Sequence, residues 1–345
     1  MHSLLRASGL LSLGLFALST LSLFASCGES PGSGSTTWRF AIEETAGSVQ
    51  DRYAQEFKRR IEERLAGEVQ VKVFPYGTLG TSDDLTEQLR MGSLQLAMAS
   101  PGHLGKTIPE LQVFLLHFLF PDDEETAQRA LASPQLRHEL DPLYEAKGMT
   151  LLGLIPEGWM VWSTQKEVRT PADFDGVKIR TMTSPLLLAA YRAYGAQPQA
   201  MPYGEVYSAL QLNMIDAQVN PMFAIEEMSF YEVTSHLISA RTAPFLTTLV
   251  AHPGFLEQLS PRQRTAVEEV TRELEPWSYA EQLRLNATRL EDILASKPEM
   301  VVLELTEAER QRFRELAAPV REQYLEATGD SGRRVLDALE DALGR

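Results

Sequence analysis

The sequence predicts an α/β protein built on an open sheet, and three observations predict it. From residue 38 onward, short segments that alternate apolar and polar residues take turns with segments of helical periodicity. The first such group reads strand, helix, strand, which implies a parallel pair joined by a right-handed crossover. Near the end, residues 261–297 hold a helical pattern longer than most globular helices, enough to brace two bodies at once. A chain of 345 residues suits two domains or one large one.

The elements follow in order from the N-terminus. Arg6 precedes an apolar stretch at residues 9–25 that is too short and too rich in serine for a comfortable membrane span, so it reads as an export signal. It ends in Leu23-Phe24-Ala25-Ser26-Cys27, where small residues precede the only cysteine of the chain. That pattern suits a lipoprotein signal at residues 1–26 with Cys27 as the lipidated first residue of the mature protein; ordinary signal cleavage beside a chance thiol is the competing reading. The protein is then expected outside the cytoplasm, held to a membrane by lipid alone. Residues 27–37 carry GESPGSGSTT, too poor in apolar residues to fold, and form a tether.

Residues 38–42 and 69–74 alternate as strands around a helix at 49–65, whose Tyr53, Phe57 and Ile61 share a stripe. Helices are expected at 82–91, 124–131, 185–194 and 204–212. Strands are expected at 94–99, 149–155, 161–164 and 177–180, with short ones near 217 and 247–251. Two further helices close the chain between 306 and 344.

Composition narrows the function classes. A net charge of −15 repels nucleic-acid phosphates and offers no basic patch for anionic lipid, although one buried arginine can still hold an anion in an acidic protein. No Gly-x-Ser-x-Gly elbow or His-Glu-x-x-His pair occurs, and the histidines are scattered. Gly77-Thr-Leu-Gly80-Thr-Ser82 lacks the Gly-Lys of a phosphate loop, and Asp173-Phe-Asp-Gly176 has too few ligands for a calcium loop. Neither an enzyme nor a cofactor or metal site is expected.

Four blocks resemble one family: Gly176-Val-Lys-Ile-Arg180, Tyr194-Gly-Ala-Gln-Pro198, Met201-Pro-Tyr-Gly-Glu-Val-Tyr-Ser-Ala-Leu-Gln211 and Ile215-Asp-Ala-Gln-Val-Asn-Pro221. Phe74-Pro-Tyr-Gly-Thr-Leu-Gly80 and Gly92-Ser-Leu-Gln-Leu-Ala-Met98 fit the same pattern. In order and spacing they are similar to the solute-binding proteins of tripartite ATP-independent periplasmic (TRAP) transporters, across essentially the whole mature chain. The resemblance implies a two-domain periplasmic solute-binding fold with open sheets, hinge strands, a cleft and a long domain-spanning helix. Domain I would be residues 38–157 and 246–285, and domain II residues 158–245 and 286–345. It also implies a small organic acid as ligand, TRAP membrane subunits as partners, and no cofactor. A sensor of the same fold that reports to a receptor is the alternative.

The same resemblance marks the site. Arg180 ends an alternating strand, and its guanidinium suits a carboxylate through two parallel charge-assisted bonds; a surface ion pair is the competing reading. Asn220 before Pro221 would be a second carboxylate contact, or merely a turn-former. Tyr203 would lay its ring on the ligand, or sit in the core. Glu43 and Ser100, each after a strand, would lie at the cleft edge.

One departure bears on selectivity. Where many relatives carry a second arginine, this chain has Met160, and strand alternation places Trp162 on the same face. A thioether cannot neutralise a second carboxylate, so the expectation is a monocarboxylate with an apolar or aromatic body rather than a dicarboxylate, unless Met160 and Trp162 are core. Arg241 could supply the missing charge. His117 stands where relatives have proline, and a buried histidine is the commoner reading.

Overall fold

The computed structural model describes residues 35–345, so the leader and Cys27 lie outside the described residues. Nine strands occur there: β1 (Thr36–Ala41), β2 (Val69–Phe74), β3 (Leu96–Ala99), β4 (Thr150–Thr164), β5 (Lys178–Thr181), β6 (Gln197–Ala200), β7 (Ala217–Asn220), β8 (His236–Ala251) and β9 (Val301–Glu304). They join in one sheet of order β2-β1-β3-β8-β4-β7-β5-β6, with β9 also on β8.

Two long strands divide this sheet into halves. In the first, β2, β1 and β3 are parallel, and β3 pairs with β8 only over Thr248–Ala251. In the second, β6, β5 and β7 are parallel, β7 meets β4 only over Val161–Thr164, and β9 meets β8 only over His236–Ser239. Only β4 and β8, antiparallel to each other, run through both halves.

Where they cross from one half to the other their register slips, between Pro156 and Gly158 and again between Trp159 and Val161. Proline lacks the amide a ladder needs, and irregularities of this kind tolerate it. Gly158 (φ +121°) and Arg241 (φ +46°) take backbone angles that ordinary strand residues avoid. The expected break between strands at 149–155 and 161–164 is therefore absent: the bulges absorb Pro156 and Gly158, and the strand continues.

The helices grow where the periodicity predicts them. Val49–Arg64 starts on a Ser48 cap, and Ser82–Arg90 on a reciprocal Thr81/Asp84 capping box. Pro261–Ser296 is a single 36-residue helix. Its Val267, Val270 and Leu274 pack into the core over the first half-sheet with Phe40 and Phe57, and its Ile293 into the core of the second with Val161 and Phe230. Gly329 (φ 62°, ψ −141°) splits Glu307–Leu343 into the two expected helices.

Candidate functional site

The carboxyl ends of β1 and β3 face those of β5 and β7 across a cavity of about 30 Å3, well below the range of ligand-filled pockets, so the walls stand close together in this structure. Glu43, Glu44, Gln50, Ser82, Ser100 and His103 line one wall. Arg180, Met182, Tyr203 and Asn220 line the other, and Phe245 of β8 lies between them.

Arg180 is 1% exposed on β5. Its Nε and Nη2 both donate to the carbonyl of Met201, at 3.0 and 2.9 Å, and its guanidinium carbon lies 5.9 Å from the centre of the Tyr203 ring. No carboxylate among the described residues lies within ion-pair distance of it. Burial lowers its pKa to about 10, the mark of a cation stripped of water without a counter-charge. Asn220 ends β7, buried, and donates to Gln218 Oε1 at 2.5 Å. Tyr203 opens a short turn, and its ring meets that of Tyr76 edge to face at 5.6 Å. The Tyr76 hydroxyl accepts from the Gly204 amide at 3.2 Å, so the two walls touch at their rim.

The opposite wall is acidic. Glu43 follows β1 and is nearly sealed from solvent. Its Oε2 accepts the amide of Ser100 at 2.8 Å, its own amide donates to Gln50 Oε1 at 2.8 Å, and its Oε1 has no partner among the described residues. Burial pushes its pKa up to about 8. Ser100 is fully buried after β3, and its hydroxyl lies 4.0 Å from Met182 Sδ across the cavity. Gly102 makes that approach possible, since a Cβ there would lie 2.3 Å from the same sulfur.

The structure thus brings Arg180, Asn220, Tyr203, Glu43 and Ser100 together around one cavity. Met160 and Trp162 are not among its lining residues. They share a face as alternation predicts, but that face packs inward: Trp162 is fully buried, donates from Nε1 to the Tyr191 hydroxyl at 3.0 Å, and stacks edge to face on Phe174 and Phe313. The side chain of Arg241 is also elsewhere, bonded to the Asp122 carbonyl at 3.2 Å and lying 3.5 Å from Glu304. His117 bonds the Tyr194 hydroxyl at 2.7 Å.

Glu44, Gln50, Ser82, His103, Met182 and Phe245 complete the lining and were missed by sequence reasoning. Met182, two residues beyond Arg180, and Glu44, beside Glu43, could have been found from their neighbours. Phe245 could not, because its place depends on a pairing with β4 that no local pattern records.

Residues 40–327 match the family described as bacterial extracellular solute-binding protein, family 7 (DctP). The chain belongs to the DctP family. As a DctP-family protein it is a solute-binding component of a TRAP transporter, and the characterised relatives it matches are named as binding proteins. It is 40% identical to the ectoine/5-hydroxyectoine-binding periplasmic protein UehA of Ruegeria pomeroyi, over 88% of this chain and 89% of UehA. It is 38% identical to the ectoine-binding periplasmic protein TeaA of Halomonas elongata, covering 89% of each chain. Among solved structures, that of a TRAP periplasmic solute-binding protein from Marinobacter aquaeolei in an apo open state is 44% identical and superimposes with a TM-score of 0.83, covering 88% of this chain and 99% of the other. A high-resolution TeaA structure gives 0.86 at 37% identity, covering 89% and 99%. These DctP-family neighbours are two-domain binding proteins, the architecture expected from the sequence. No helix among the described residues is long and apolar enough to cross a membrane.

Proposed function

We propose that this protein captures a small zwitterion of the ectoine type, a single carboxylate at one end and a delocalised cation at the other, and delivers it to TRAP membrane subunits. The observation that carries this reading is the pairing of opposites across one cavity: a buried Arg180 without a counter-charge on one wall and a buried Glu43 with an unpartnered oxygen on the other. Arg180, seconded by Asn220, takes the carboxylate through charge-assisted bonds. Glu43 ionises as the ligand cation arrives and takes that end. Tyr203, Met182 and Phe245 supply the apolar surface for the ring, in place of Met160 and Trp162.

Such a site prefers a monocarboxylate for a new reason. The second carboxylate of succinate or malate would meet Glu43 and Glu44, which burial keeps protonated, with no cation to pair it; were either glutamate to ionise, the repulsion would add to that cost. The two ectoine-binding relatives support the ligand class. The domain division expected from the sequence fits this reading, since the walls of the cavity then belong to different domains.

Calorimetric titration with ectoine, 5-hydroxyectoine, succinate and malate tests it. An ectoine should bind at least a hundredfold more tightly than either dicarboxylate, and Glu43→Gln should weaken the ectoines while narrowing that gap. Dicarboxylates that bind as tightly as ectoine would overturn the zwitterion reading.

A further inference from the structure

Behind the cavity wall the chain gathers carboxyl groups from three separate places. Glu44 follows β1, Glu157 lies on β4 between Pro156 and Gly158 where the two half-sheets join, and Glu227 ends the helix Met222–Glu227 of the second half. Glu44 is 5% exposed and Glu157 0%. Gln50 ties them together: its side chain donates to Glu157 Oε1 at 3.1 Å, and its amide reaches Glu44 Oε2 at 3.4 Å. From across the cleft, Glu227 Oε2 accepts from Thr45 Oγ1 at 3.2 Å. Glu157 Oε2 and Glu227 Oε1 are buried without hydrogen-bond partners among the described residues.

Charge is poorly compensated there. Glu44 faces Glu157, Tyr203 and Glu227, and Glu157 also feels Glu43. Arg289 is the one cation within ion-pair distance of the cluster among the described residues. It lies 3.6 Å from Glu227 but is shared with Glu226 at 3.2 Å and Asp292 at 3.4 Å.

We propose that Glu44, Glu157 and Glu227 form a proton-sensitive latch on the cleft: protonated, they let its walls meet, and ionised, they force the walls apart. The walls touch in this structure through Thr45 and Glu227 and through Tyr76 and Gly204. Opening separates Glu227 from Glu44 and returns both to water. Burial, reinforced by the neighbouring carboxylates, holds Glu44 and Glu157 well above the usual carboxylate range in this arrangement, and burial pushes Glu227 up to about 8. Groups raised on closing bind protons on closing. The latch therefore holds fully below the ordinary carboxylate pKa of about 4.3 and weakens as pH climbs toward 8.

Solution scattering of the purified protein without solute provides the test. The radius of gyration should increase between pH 5 and pH 8.5 (roughly the window spanned by the ordinary and raised values), and the Glu44→Gln/Glu227→Gln double variant should stay compact at both. Glu157→Gln, a milder change on a strand held by its ladder, should reduce the expansion without abolishing it. A radius independent of pH in the unaltered protein, or an equal expansion in the double variant, would overturn the latch. Because no solute is present, that failure leaves the zwitterion reading intact, and a failure of ectoine to bind leaves the latch standing.

Discussion

Arg180 occupies the costliest position in the site: its charge is buried against a backbone carbonyl and over the ring of a tyrosine, neither of which carries a full negative charge. The empty protein bears that desolvation, and a bound carboxylate relieves it, so the residue should matter far more to binding than to folding. Replacing it by methionine should cost roughly 3–5 kcal/mol of affinity, at least a hundredfold, while the melting temperature of the unliganded protein stays level or rises. Calorimetry and thermal denaturation of Arg180→Met check both halves, and a large loss of unliganded stability would make Arg180 a structural residue instead. Arg180 was picked out by the family resemblance of the residues around it, since its place at the end of an alternating strand would alone have favoured a surface ion pair. Met160 and Trp162 misled for a related reason: alternation says which side chains share a face, never whether that face looks into a cavity or a core. The acidic wall stayed half-read because Glu157 reaches it from a strand interior, far along the chain from Glu43 and Glu44.

Most elements were legible wherever the chain obeys its own period, as in Val69–Phe74 and Glu124–Leu131, whose limits match the expectation. Prolines hid others. The helix Pro134–Glu145 carries Pro142 inside it, and β4 carries Pro156, so each looked like an interruption. The short edge strands β6 and β9 are too exposed to show alternation. The joint in β4 depends most on Gly158, because a Cβ there would lie 2.6 Å from Asn286 Nδ2 on the long helix, at a φ of +121°. That amide is already fixed by the Glu157 carbonyl at 2.8 Å. Gly158→Ala should therefore destabilise the protein by at least about 1 kcal/mol, read as a lower denaturant midpoint with an unchanged slope. A midpoint within error of the parent would show that the joint tolerates a side chain.

For the molecule as a whole, the export signal and lipidated Cys27 expected from the sequence would assign a place that the folded part does not. We propose that Cys27 carries lipid and that the Gly/Ser-rich segment after it gives the binding body reach from the membrane. Expressed in a bacterial host, the parent should fractionate with membranes, and Cys27→Ala should appear in the soluble extracytoplasmic fraction with solute affinity unchanged. A parent already soluble there would remove the anchor. The sheet order has a consequence in time as well as in space. The strand that joins β3 to β4 is the end of β8, residues 248–251, so the first half-sheet lacks its link until nearly the whole second half has been synthesised. Contacts so distant along the chain form slowly. A polypeptide that emerges N-terminus first therefore stays unlinked until residue 251 is out, a delay that would suit threading across a membrane before the completed body can jam the passage.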